Sequence, residues 1–169
     1  MTYPMNDGGG WIVPASERIA AGSSIPAWSA IGPRCDIGPN YTIGEDCWIG
    51  ANCTIGEGCK IGEGCTYAGV ELDVVPADLA QRVLDAITER PEDWDQSNWH
   101  CGTQHCVAGW LELEAYGLQT LATAALAAHA WRIAYPGLRP PSFASEADRD
   151  EILALLRAAA ESESEEVVQ

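Results

Sequence analysis

Along the first part of the chain, isoleucine returns every sixth residue, at positions 19, 25, 31, 37, 43, 49, 55 and 61, with small or polar side chains between. A period of six matches neither an amphipathic helix, which repeats near 3.6, nor a plain strand, which repeats at 2. It predicts stacked short strands, each repeat supplying one strand and one corner. Val13, six residues before Ile19, stands in phase as one more member of the column. The residue after each isoleucine is Gly32, Gly38, Gly44, Gly50, Gly56 or Gly62 in the later repeats. Three residues after it come Gly22, Asn40, Asp46, Asn52, Gly58 and Gly64, types that tolerate the positive φ of a tight corner, while Trp28 and Arg34 break that column. Four residues after it come Ser23, Ser29, Cys35, Tyr41, Cys47, Cys53, Cys59 and Cys65, mostly small enough to share an interior with the isoleucines.

These columns, over residues 13–67, resemble the hexapeptide-repeat family. The resemblance implies a left-handed parallel β-helix with three hexapeptides per triangular coil, so that residues 18 apart stack. Cys35 would then lie over Cys53, Cys47 over Cys65, and Ile19, Ile37 and Ile55 would form one ladder. The handedness comes from the resemblance alone, because ordinary parallel crossovers are right-handed. The family commonly forms trimers with solenoid axes side by side, which makes Trp28, Tyr41, Trp48 and Tyr67, expected at or near the surface or corners, candidates for a trimer interface.

Beyond the repeats the pattern changes. Val70, Leu72, Val74 and Val75 form an alternating stretch before Pro76, and helical spacing follows. The expected organisation is an N-terminal arm (1–12), mobile or draped, a β-helix (13–70), a linker (71–76), a small all-α acidic domain (77–160) and a charged, frayed tail (161–169). Within the α domain, Leu79, Val83, Leu84 and Ile87 mark a helix over 77–89 that stops before Pro91. A second helix is expected from Thr103 as N-cap to Tyr116, closed by Gly117, and a third from Leu118 to Tyr135. A fourth opens at Ser145 with Asp148 three residues on, like a capping box. The short linker suggests that the helices dock near the end of the solenoid.

Charge and cysteine usage narrow the function. The net charge is −16, and of 25 acidic and 9 basic side chains, 18 and 6 lie after residue 70. Such a balance disfavours direct binding to nucleic acid or an anionic membrane, both of which need clustered Lys and Arg. There is neither an 18-residue apolar run nor a basic-then-apolar leader, so a cytoplasmic protein is expected. Seven cysteines is an odd count, and five of them are locked to one repeat column, so they read as reduced packing residues rather than a disulfide framework.

Candidate chemistry concentrates in Trp94–Trp110, WDQSNWHCGTQHCVAGW, which is similar to a WHCGTxHCxAGW motif of uncharacterised bacterial and bacteriophage proteins. His100, Cys101, His105 and Cys106 are ligand types for zinc, although their spacing differs from that of common zinc knuckles. Cys101 or Cys106 beside a histidine could act as a thiol nucleophile. In the third and preferred reading, Trp94, Trp99 and Trp110 fill a small core and no metal or catalytic residue is assigned. The hexapeptide resemblance also implies coenzyme A-dependent acyl transfer with a histidine base. Residues 13–67 contain no histidine, however, because His100, His105 and His129 all fall later.

The leading expectation is therefore a non-catalytic trimeric scaffold that presents acidic helices to a protein partner, without a cofactor. Glu92, Asp93, Trp94, Asp95 and Trp99 are the candidate contact residues. A narrower version is a phage-encoded acidic inhibitor that occupies a basic, nucleic-acid-binding surface of its target. An acyl-CoA acyltransferase and a virion structural component are the alternatives.

Overall fold

The structure, a computed structural model, describes residues 3–19, 24–56, 58–95, 100–101, 104–120, 123–141, 143 and 147–166. Two compact units divide the chain: Met1–Val74 with Thr120–His129, and Val75–Gln119 with Ala130–Gln169. The first break, between Val74 and Val75, lies within the segment read as a linker from sequence, and residues 120–129 group with the repeats.

In the first unit, two-residue strands succeed one another every six residues: β1 (Ile12–Val13), β2 (Arg18–Ile19), β3 (Ser24–Ile25), β4 (Ala30–Ile31), β5 (Asp36–Ile37), β6 (Thr42–Ile43), β7 (Trp48–Ile49), β8 (Thr54–Ile55), β9 (Lys60–Ile61) and β10 (Thr66–Tyr67). Each pairs in parallel with the strand 18 residues on, giving stacks β1-β4-β7-β10, β2-β5-β8 and β3-β6-β9. The register Ile19↔Ile37↔Ile55 is the expected ladder. Val13 and all eight repeat isoleucines are buried, as are Cys35, Cys47, Cys53, Cys59 and Cys65. Each buried isoleucine contributes about 1.5–3 kcal/mol of burial free energy. One column after the isoleucines, glycine is needed for close approach: a Cβ on Gly50 would lie 2.6 Å from the Pro33 nitrogen of the preceding layer. At the corners Ser16, Trp28, Arg34, Asn40, Asp46 and Asn52 all have positive φ. Trp28 and Arg34 thus keep the corner geometry despite side chains that disfavour it.

Tyr41 and Tyr67 correct an expectation. Both face the interior, 2% and 1% exposed, rather than the surface. Tyr67 occupies the isoleucine column and its hydroxyl donates to the Cys53 carbonyl at 2.8 Å. Tyr41 occupies the cysteine column.

Both ends of the stack are closed. Residues 3–11 fold into a loop held by Asn6, whose Oδ1 accepts the N–H groups of Gly8 and Gly10 and whose Nδ2 donates to the Trp28 carbonyl at 2.6 Å. Met5 bridges Trp11, and the Tyr3 and Trp11 rings lie 5.4 Å apart. At the other end β11 (Val70–Glu71) turns back antiparallel to β10 through Ala68 and Gly69, both at positive φ. This hairpin covers an edge that would otherwise offer unpaired backbone groups.

The helices are α1 (Leu79–Glu89), α2 (Val107–Tyr116), α3 (Thr123–Ala134) and α4 (Arg149–Glu166). In the second unit α1 packs against α2 and α4, burying Leu79, Val83, Ile87, Trp110, Leu111, Ile152 and Leu156. The Tyr135 hydroxyl accepts the Ala80 N–H at 2.6 Å, anchoring the start of α1. Gly117, at φ 65°, closes α2 as the sequence indicates. The N-terminus of α2 differs from expectation. Thr103 lies outside the described residues, and the N-cap is Cys106, because β12 (His100–Cys101) and β13 (Gln104–His105) form a hairpin immediately before it. Ser145 also lies outside the described residues. Asp148 itself caps α4, its Oδ1 accepting the N–H groups of Asp150 at 2.8 Å and Glu151 at 3.2 Å. The helix runs on to Glu166, through most of the segment expected as a frayed tail.

Candidate functional site

The alternation of a strand sets which side chains leave the stack, since successive residues face opposite ways. The first residue of each strand points outward, and the three stacks therefore carry three different outer columns. One stack presents Arg18, Asp36 and Thr54, with Arg18 and Asp36 paired at 3.3 Å. A second presents Ser24, Thr42 and Lys60. The β1-β4-β7-β10 stack presents Ile12, Ala30, Trp48 and Thr66.

That third face is apolar and holds a shallow groove enclosing about 680 Å³. Ala30, Gly32, Gly50, Ala51 and Ala68 keep it low, and Ile12 and Trp48 stand beside it. None of the residues lining it is charged, in a chain of net charge −16. Trp48 is 68% exposed and Ile12 46%. Trp28, at a corner, is 57% exposed. Of the four aromatic residues proposed from sequence for an interface, the two tryptophans are therefore surface groups and the two tyrosines are not.

At the end of the stack Asp73 joins two partners. Its Oδ2 accepts the Gly64 N–H at 2.5 Å, and its Oδ1 lies 3.1 Å from Nε2 of His129, a residue that is 3% exposed. Sequence alone placed His129 in the helical domain and Asp73 in a linker; their proximity is a product of the fold. With the imidazole buried against a carboxylate, His129 serves as a structural partner of the stack's end rather than as an open base.

The Trp94–Trp110 segment gives a mixed result. The hairpin register puts His100 opposite His105 and Cys101 opposite Gln104. Trp99 lies outside the described residues. Cys106 is 1% exposed. Burial is the main force on its thiol and pushes its pKa above the usual 9.0, although the N–H groups of Gly109 and Ala108 pull the other way. A thiol held neutral and covered lacks the thiolate that a nucleophile requires. Trp94 is buried with the Arg149 guanidinium 4.1 Å over its ring, and Arg90 lies 4.7 Å over Trp110. Asp93 pairs with Arg90 at 3.9 Å, whereas Glu92 is exposed. Trp94 and Asp93 are thus engaged within the helical unit, and of the four described contact candidates only Glu92 is exposed.

The repeat cysteines behave as interior groups. Burial raises Cys53 and Cys59 above the usual 9.0. Cys47 and Cys65 titrate as neighbours: the Cys65 side chain lowers Cys47 to about 7, and Cys47 in turn pushes Cys65 up. Among the described residues, no group of three or more His, Cys, Asp or Glu side chains is arranged to hold a metal ion. Nor is any described helix long and apolar enough to cross a membrane.

Residues 40–66 match the family model described as bacterial transferase hexapeptide (six repeats), and this segment is a hexapeptide repeat. The match stops short of the Trp94–Trp110 segment. No curated protein and no solved structure matches the chain.

Proposed function

We propose that the repeat stack is a left-handed parallel β-helix and that the protein is a non-catalytic, trimeric scaffold that presents its acidic helical unit to a protein partner. One observation carries this reading: a strongly acidic chain lines the groove on one face of its repeat stack without a charged residue and places an exposed tryptophan in it. Copies of a chain with net charge −16 repel one another, so self-contact is least costly through a groove whose lining carries no carboxylate. An apolar patch on an otherwise polar surface is the usual mark of a contact site. A basic partner, by contrast, would be drawn to the carboxylates of the helical unit, and the narrower form of the proposal is inhibition of a basic, nucleic-acid-binding target. Affinity capture from the source cells at low and high salt tests it. A partner held at low salt and lost at high salt is expected, whereas equal retention at both would contradict it.

The acyltransferase alternative is favoured by one feature, the groove running past small residues on the same face, which is of a size that takes a ligand chain. Calorimetric titration with coenzyme A and an acyl-CoA decides between the two. Heat release with saturable binding supports the enzyme, and its absence supports the scaffold.

A further inference from the structure

The cysteines of the repeat are arranged in pairs that packing alone does not require. Strand register sets Cys53 one layer above Cys35 and Cys65 one layer above Cys47, with the Thr54 N–H donating to the Cys35 carbonyl and the Thr66 N–H to the Cys47 carbonyl, both at 2.9 Å. All four thiols are free and no more than 1% exposed. Each sulfur donates to a carbonyl of the preceding layer: Cys35 to Pro14 at 3.1 Å, Cys47 to Pro26 at 3.2 Å, Cys53 to Gly32 at 3.2 Å and Cys65 to Gly44 at 3.1 Å. Cys59 is the internal contrast. It makes the same bond, to Gly38 at 3.3 Å, but the residue one layer below it is Tyr41, not a cysteine.

We propose that the Cys35/Cys53 and Cys47/Cys65 pairs are two binding sites for a soft, two-coordinate cation of the mercuric type. Paired strands lie about 4.8 Å apart. Two metal–thiolate bonds of about 2.3 Å in line span about 4.6 Å, so an ion fits between stacked sulfurs with little movement. A disulfide needs the two Cβ atoms drawn to about 3.8 Å, closer than the layer spacing provides. Thiolate pairs select soft ions. Among the described residues no third ligand stands with either pair, so a tetrahedral ion such as zinc is left unsatisfied. Charge also fits. Two thiols and one divalent ion give a neutral bis-thiolate and release two protons to solvent, so no net charge is buried among the isoleucines.

The test is native mass spectrometry of the full reduced chain titrated with mercuric chloride, with circular dichroism followed in parallel. A Cys53→Ala/Cys65→Ala variant and a Cys59→Ala variant are treated identically, and zinc is the comparison ion. The expected result is that the double variant takes up two fewer mercuric ions than the wild-type chain, that Cys59→Ala takes up the wild-type number, and that strand signal is kept throughout. Because Cys53→Ala/Cys65→Ala could weaken the fold, X-ray absorption on the loaded wild-type chain provides a second readout, expected to show two sulfur neighbours per ion. Equal mercury uptake by the wild type and a folded double variant, a single sulfur neighbour, loss of strand signal on binding, or zinc held at the same two sites would overturn the proposal.

Discussion

Asp73 stands in for a missing layer at Gly64. At the two earlier corners of the same column, the Trp28 N–H donates to the Glu45 carbonyl at 2.9 Å and the Asp46 N–H to the Glu63 carbonyl at 2.8 Å, each acceptor belonging to the next layer. Gly64 belongs to the last layer, and its N–H donates instead to Asp73 Oδ2 at 2.5 Å. A side-chain carboxylate thereby ends a backbone ladder that would otherwise continue.

Removing that acceptor should loosen the end of the stack. Asp73→Ala is expected to lower unfolding free energy by about 1–2 kcal/mol, the range for a hydrogen bond to a charged group discounted for partial exposure. Asp73→Asn, which keeps an acceptor oxygen, should lose less. Denaturant midpoints, together with hydrogen exchange at the Gly64 amide, check this. Unchanged exchange in Asp73→Ala would remove the capping role.

The corner residues allow a prediction of the opposite sign. Arg34 holds φ 61°, where a side chain costs about 1–2 kcal/mol relative to glycine. Arg34→Gly relieves that cost but adds roughly 0.4–1 kcal/mol of unfolded-state entropy, leaving a net gain of about 0.5–1 kcal/mol in unfolding free energy. Gly50→Ala should destabilise by several times that amount, because its Cβ would meet the backbone of the layer below. Thermal melts of the two variants should shift in opposite directions.

The buried thiols make stability depend on alkaline pH. The folded-state pKa values of Cys53, Cys59 and Cys106 are raised above the usual 9.0, with burial the leading cause in each. Below pH 9 these groups are neutral in both states, and their contribution is fully present. As pH rises above 9 the unfolded chain ionises first, and stability falls until the folded-state values are passed. Cys47, lowered to about 7, adds stability between pH 7 and 9 in every variant that keeps it, so denaturant midpoints under reducing conditions are compared between the wild type and Cys59→Ala, which should run parallel up to pH 8.5 and diverge above pH 9. Cys59→Ala should decline less steeply, and an identical slope would contradict the assignment.

Much of the repeat was legible in the isoleucine period, because a one-residue slip would turn every buried side chain outward. The same period also held the answer for the tyrosines. Tyr67 stands six residues after Ile61 and Tyr41 lies in the cysteine column, so their columns, rather than their aromatic type, decide that they face inward. Trp28 and Arg34 show the converse, with layer register imposing positive φ on residues whose own preference runs against it. The hairpin before α2 also had a local signal, a Gly-Thr pair between His100–Cys101 and Gln104–His105. Asp73 with Gly64, and Asp73 with His129, had none: neither pair is periodic, and the second joins residues 56 apart in the chain. The uncharged column Ile12, Ala30, Trp48 and Thr66, spaced 18 residues apart, lay in plain view, but its meaning emerged only beside the charged columns of the other two stacks.

Tyr67 and Trp48 separate the interior from the proposed interface. Tyr67→Phe deletes the hydroxyl that bonds the Cys53 carbonyl and should cost about 1–2 kcal/mol of stability without altering assembly. Trp48→Ala, at a side chain 68% exposed, should leave chain stability within about 0.5 kcal/mol while weakening assembly.

Sedimentation equilibrium on the wild-type chain and on Trp48→Glu tests the scaffold account most directly. The account predicts three times the chain mass for the wild type and a single chain mass for Trp48→Glu, with circular dichroism unchanged between them. A monomeric wild type, or a Trp48→Glu variant that remains trimeric, would contradict it.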